Sequence, residues 1–288
     1  MERCNLCQEE RRLEDSHIIP KFITKWLKET GTGGLRKATN FNKRVQDGIK
    51  EPFLCEECED KFNKSETYFC NSIFHPVVND NIASFEYTDQ LFYFVISVLW
   101  RLLRHTFLEE EKGRRFYNEL RIIEEEWRNF LFEGKVIKEY NTLHLIIGVD
   151  ILEENESVII PDKFIQYMAR IVDAGVADDE QGENCMIYLK LPRFIFIVPI
   201  KGLSGDLMIN TQINQDGGTH YINKARVDNP IIADYFISRV RQFNALFETI
   251  SQVQRKKMQD KSAEIWDSLK DKDLRKIIDY ENNKKREE

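Results

Sequence analysis

The stretch FLCEECEDKF, Phe53 to Phe62, decides how this chain is read. Cys55 and Cys58 stand three positions apart, the spacing at which two thiolates chelate one side of a tetrahedral ion. Cys4 and Cys7 repeat that spacing, and 47 residues separate the two pairs. Four thiolates saturate a structural Zn2+ and leave it no open position, so the ion is expected to hold the fold while any chemistry comes from other residues. Cys70 and Cys185 are isolated, which fits a zinc site better than a disulfide framework.

Working outward, the second pair is predicted to open a helix over about Cys55–Phe69, because Phe62 and Phe69 interleave with acids at helical spacing. A helix start also favours thiolate charge through the backbone dipoles. The first pair is predicted on a knuckle before a hairpin, which gives the layout of a treble-clef finger. Between the pairs lies a Gly-rich turn, TGTGG (Thr30–Gly34). The segment Ser16–Lys50 holds eight Lys or Arg against two acids, although the 288-residue chain carries a net charge of −7. The global charge argues against a general nucleic-acid binder. The local reversal of sign predicts a surface that meets phosphate, with Lys21, Lys25, Arg36, Lys37, Lys43, Arg44 and Lys50 as its contacts. The plainer alternative is a solvated basic face.

The rest of the chain is expected to form an α+β body. LFYFVISVLW (Leu91–Trp100) reads as a buried helix over about Asp89–Thr106, too short to span a bilayer before Arg101 and Arg104. A charged helix is predicted over about Glu109–Phe132, with Phe116, Leu120, Ile123, Trp127 and Leu131 as its core stripe. TLHLIIGVDI (Thr142–Ile151), MIYLKL (Met186–Leu191) and FIFIVPI (Phe194–Ile200) read as strands, DKFIQYMARIVDAG as a helix between them, and Asp216–Gly218 as a turn. From Asn229 helix returns, with Pro230 in its first turn and a stripe of Ile232, Phe236, Val240, Phe243, Phe247 and Ile250. The tail ENNKKREE is expected to fray. The expected organisation is an N-terminal treble-clef zinc module over 1–75. A mainly helical body over 76–288 follows, with helices at 89–132, a small antiparallel sheet within about 142–225 and long C-terminal helices over 229–280. The polar opening residues predict no signal peptide, hence a soluble, cytoplasmic chain without a membrane partner.

SHIIP (Ser16–Pro20) lies between the cysteine pairs. C-x-x-C, a histidine in an H-I-x-P context, then L-C-x-x-C at a helix start resembles the HNH endonucleases of the treble-clef type, over residues 1–70 only. The resemblance implies a phosphodiester hydrolase in which His17 is the general base, one divalent cation stabilises the scissile phosphate, and a mid-motif asparagine orients the histidine. Departures are plain. Ser16 stands where the family places a metal-binding aspartate, with Asp15 one residue earlier. Glu59 stands where it places a metal-binding histidine. For the asparagine, Asn40, Asn42, Gln46 and Asp47 all compete. A carboxylate suits hard Mg2+ or Mn2+ better than imidazole does, so His17, Glu59 and either Glu66 or Asp47 form the predicted cation set. The alternative makes Glu59 and Glu66 solvent-facing acids near a helix N-terminus and His17 a structural hairpin histidine.

His75, before Pro76, reads as a structural loop histidine, and His105, His144 and His220 are isolated; no P-loop, dinucleotide fingerprint or nucleophile elbow is found. The expectation is therefore a metal-dependent HNH-like endonuclease acting on nucleic acid, DNA ahead of RNA. The body would supply substrate selection, assembly into a homo-oligomer or docking of a regulatory protein. A cutting module on an unrelated acidic body suggests, by analogy alone, antiphage defence. The alternatives are a non-catalytic zinc module that binds nucleic acid or protein, and a purely structural finger with function residing in the later strands.

Overall fold

Leu13–His17 (β1) pairs antiparallel with Lys50–Cys55 (β4), and this hairpin delivers the chain into the helix Glu56–Tyr68 (α2). The computed structural model describes residues 2–31, 34–37, 40–80, 82–148, 161–203, 205–266, 274–275 and 279. Part of the predicted Gly-rich turn (Thr32, Gly33), the end of the strand predicted to Ile151, most of 267–280 and the tail 281–288 lie outside the described residues. Within the β1–β4 connection run the helix Lys21–Glu29 (α1) and a second hairpin, Leu35–Lys37 (β2) with Asn40–Val45 (β3). Helix α1 was legible in principle: Ile23 and Trp26 bury one side, and Pro20 precedes the first turn without needing to donate a hydrogen bond.

Helix α2 continues through a π-helical turn, Phe69–Phe74, into His75–Asp80 (α3). His75 therefore sits in a helix, not in the loop expected from the following proline. The π turn lies directly before Pro76, whose missing N–H removes one rung of the ladder. Next come Ser84–Thr88 (β5) and Asp89–Leu102 (α4), the latter capped by the Thr88 hydroxyl accepting from the Gln90 amide. The α4 helix runs on to Glu110, long and apolar enough by length and composition to cross a membrane. Its most apolar window is 72% buried inside the fold, as in a core helix. The charged helix begins later than expected, at Tyr117–Glu133 (α5), because the chain turns at Gly113 with φ +79. Its stripe of Phe116, Leu120, Ile123, Trp127 and Leu131 is buried.

The body's main sheet has five antiparallel strands. Leu143–Ile147 (β6), Asp173–Asp178 (β7), Cys185–Leu191 (β8), Phe194–Lys201 (β9) and Gln212–Ile213 (β10) lie in the order β10-β6-β9-β8-β7. The helix between β6 and β7 is Phe164–Arg170 (α6). Gly217–Tyr221 (β11) pairs back onto β5, a contact that no local pattern announced. The chain closes with Pro230–Glu248 (α7), capped by Asn229, and Gln252–Ile265 (α8).

Alternation along β8 sends Ile187, Leu189 and Leu191 into one core and Met186 and Tyr188 into another beneath α7. The first core is continuous. It joins Leu6, Ile18, Phe53 and Phe62 of the N-terminal segment to Trp100, Trp127, Leu145 and Phe196 of the body, so the core does not break near residue 75.

Candidate functional site

Cys4, Cys7, Cys55 and Cys58 bring their sulfurs within 4.8 Å of one another, and all six cysteines of the chain are free thiols. A tetrahedral Zn2+ with bonds of about 2.3 Å requires sulfurs about 3.8 Å apart. Cys7 Sγ and Cys55 Sγ lie 3.9 Å apart, so the residues fit the ion. The Cys55 amide donates to Cys4 Sγ at 3.3 Å, a backbone bond that supports a thiolate. Hydrogen bonding from the Cys58 thiol holds Cys4 down to about 4, and the same contact pushes Cys58 up. Cys55 caps α2 and also ends β4, so a metal here would fasten strand, helix and N-terminal knuckle at one point.

Ser16 and His17 are neighbours in a strand and therefore face opposite ways. Ser16 is fully buried; its hydroxyl donates to Glu59 Oε2 at 2.7 Å and accepts from the Leu54 amide at 3.3 Å. These are the two positions where the resemblance expects metal ligands, and here they bond each other directly. His17, on the other face, places Nε2 3.4 Å from Asp47 Oδ2. The His17 side chain is 15% exposed, and its Nδ1 has no hydrogen-bond partner among the described residues.

Asp47 is held from several sides. Lys50 Nζ lies 3.0 Å from Oδ2, while Oδ1 accepts from the Gly48 amide at 2.9 Å and the Thr24 hydroxyl at 3.3 Å. The Lys50 ammonium, with help from the Gly48 amide and His17, holds the Asp47 carboxyl well below the usual carboxylate range. Lys50 is also the register partner of His17 across β1–β4. Gly48 packs close by: a Cβ there would stand 3.3 Å from the Thr24 methyl, a tight contact, and 3.9 Å from the His17 ring, an ordinary one.

Glu66 does not face Glu59 across a cation. It is bound by Arg101, a fully buried arginine of α4, at 2.7 Å. Arg101 also donates to the His17 backbone carbonyl at 2.7 Å and the Ser97 carbonyl at 3.2 Å, with its guanidinium 5.2 Å from the Phe62 ring. Among the described residues the four cysteines are the only set of three or more metal-ligating side chains drawn together; His17, Asp47, Glu59 and Glu66 do not converge as one. The predicted hard-cation set thus does not fit as a unit, because Glu66 is committed to Arg101, Asp47 to Lys50, and one Glu59 oxygen to Ser16.

Of the predicted phosphate contacts, Lys21, Lys25, Lys43, Arg44 and Lys50 are exposed, while Arg36 is half-buried and donates to Gln254 at 3.2 Å. The Lys37 side chain lies outside the described residues. The other histidines lie elsewhere: His105 pairs with Glu51, and His144 and His220 are buried in the body. Arg101 and Thr24 were missed as neighbours of His17. A single arginine following a ten-residue apolar run was the available signal, since a charge so placed needs a buried partner.

Comparison with family models, with curated proteins and with solved structures returned no match.

Proposed function

We propose that this chain is an HNH-like phosphodiester hydrolase acting on nucleic acid, with residues 4–58 stapled by a structural Zn2+ and His17 as the general base. The observation that carries the reading is the partly exposed His17 imidazole, paired through Nε2 to Asp47, with no partner on Nδ1 among the described residues. A carboxylate on one ring nitrogen fixes the tautomer and steadies the imidazolium, leaving the other nitrogen to take a proton from water. Asp47 then does the orienting work that the resemblance gives to an asparagine. Lys50, with the exposed lysines and arginines of 21–44, supplies positive charge toward the phosphate. No step is assigned to Mg2+ or Mn2+, whose predicted ligand set does not assemble; they enter as assay variables.

Nicking of supercoiled plasmid tests this, with Mg2+, Mn2+, Ni2+ or no added metal. His17→Ala is expected to lower the rate by about 10²–10⁴-fold, and Asp47→Asn to lower it less. Equal nicking by wild type and His17→Ala overturns the assignment. A zinc module that binds nucleic acid without cutting it is the second reading, favoured by the direct Ser16–Glu59 bond between the two positions where the resemblance expects metal ligands. It replaces the first if neither protein nicks under any metal while both keep zinc and shift DNA in a gel.

A further inference from the structure

The β2–β3 hairpin carries Arg36, Lys37, Lys43 and Arg44 and no acid. It is anchored to the far end of the chain. Phe41 is buried, with its ring centroid 5.4 Å from that of Phe243 and 6.4 Å from that of Phe247. Asn42 makes a reciprocal pair of bonds with the α7–α8 junction: its Nδ2 donates to the Thr249 carbonyl at 2.9 Å, and its Oδ1 accepts from the Ser251 amide at 3.0 Å. Arg36 donates to Gln254 Oε1 across 218 residues of sequence.

Among the described residues, several cations around this junction have no acidic partner. Arg36 and Arg44 are direct cross-strand partners, a like-charge pairing that costs stability unless an anion offsets it. Among the described residues Arg36 bonds neutral acceptors, the Phe41 carbonyl and Gln254, and burial together with the Arg44 charge pushes it down. Arg44 and Lys43 have no acidic partner among the described residues. On α8, Arg255 is answered by Glu248, whereas the exposed Lys256 and Lys257 have no acidic partner among the described residues. Asp260 follows Lys256 by one helical turn, yet no ion pair closes between them.

We infer that the β2–β3 hairpin and the first turns of α8 form one phosphate-binding surface, so that the nucleic acid held by the N-terminal module is also gripped by Lys256 and Lys257. A phosphodiester backbone is the partner this surface fits, because its regularly spaced charges can answer separate cations on two elements without a shaped pocket. The inference rests on nucleic acid being the substrate.

The test uses the full-length His17→Ala protein. Its binding to a short labelled DNA duplex, and to the RNA duplex of the same sequence, is followed by fluorescence anisotropy over a salt series. Adding Lys256→Glu with Lys257→Glu is expected to weaken binding about tenfold or more at about 0.1 M salt and to reduce the salt slope by about 2. Arg44→Glu serves as the hairpin control, and circular dichroism checks that the exposed substitutions leave the fold intact. Unchanged affinity and slope in the α8 variant, with a loss in the Arg44 variant, overturns the inference and leaves the hydrolase reading standing. A wild type that never cuts, with binding still lost in the α8 variant, overturns the hydrolase and keeps the surface. Equal, lysine-dependent binding of an acidic polypeptide in place of nucleic acid overturns the choice of partner.

Discussion

The Arg101 guanidinium donates to the His17 backbone carbonyl at 2.7 Å, so a helix of the body fixes the strand end that carries the proposed base. The same side chain binds Glu66 on α2. Arg101 therefore joins the β1–β4 hairpin, α2 and the body at a point 1% exposed to solvent.

Removing that charge should be costly. Arg101→Met leaves Glu66 without its partner and is expected to lower the unfolding free energy by roughly 3–5 kcal/mol. Combining it with Glu66→Leu should recover most of the loss, since burying two apolar groups avoids the stranded carboxylate. Urea titration of both variants decides this; a single-variant effect below about 1 kcal/mol would place Arg101 among ordinary surface pairs.

Zinc should behave as a folding ligand. Elemental analysis is expected to find about one Zn2+ per chain. A strong chelator or Cys58→Ser should broaden the thermal transition and expose the Trp100 side of the core, because Cys58 and Phe62 share α2 and Phe62 stacks edge-on against Trp100. A folded, cooperative preparation without metal would contradict the centre.

Ser16→Asp puts a second carboxylate beside Glu59, where the hydroxyl now sits 2.7 Å away. Without divalent metal, the variant should lose about 2–4 kcal/mol to burial and like-charge repulsion. Excess Mn2+ should restore much of its melting temperature and leave wild type unmoved. Equal melting of Ser16→Asp with and without Mn2+ would show that the two positions do not frame a cation.

Acid should weaken the body before it protonates Asp47, whose carboxyl is held well below the usual range. Burial pushes both His144 and His220 down to about 4. Each stays neutral in the fold while the unfolded chain takes up a proton near 6.5, so the stabilisation is full above about pH 6.5 and falls away as pH drops toward 4. The loss is on the order of 2–3 kcal/mol per histidine. His220→Leu should flatten part of that slope, and it also removes a ring nitrogen that has no partner. Guanidinium melts between pH 7 and pH 4 give the slope directly.

Local spacing carried each C-x-x-C pair, the start of α2 and the buried stripes of α5 and α7, because each of these depends on residues within one or two turns; that the two pairs meet followed from the four-ligand chemistry of zinc. What escaped is non-local. Strand alternation turns Ser16 toward Glu59 and His17 toward Asp47, which breaks up a cation set that composition alone allowed. Arg101 reaches His17 across 84 residues and Arg36 reaches Gln254 across 218, and no period in the chain encodes such pairs. The π turn at Phe69–Phe74 and the β5–β11 pairing belong to the same class, decided by packing rather than propensity.

The continuous core bears on inheritance. Ile18 and Phe62 are packed in the same cluster as Trp100 and Phe196, so a gene fragment ending near residue 75 would export an N-terminal segment with its apolar underside bare. Recombination that moved this segment to another host protein would have to carry α4 with it or rebuild the wall that α4 provides. The segment and α4 are therefore one unit of transfer, larger than the span between the cysteine pairs.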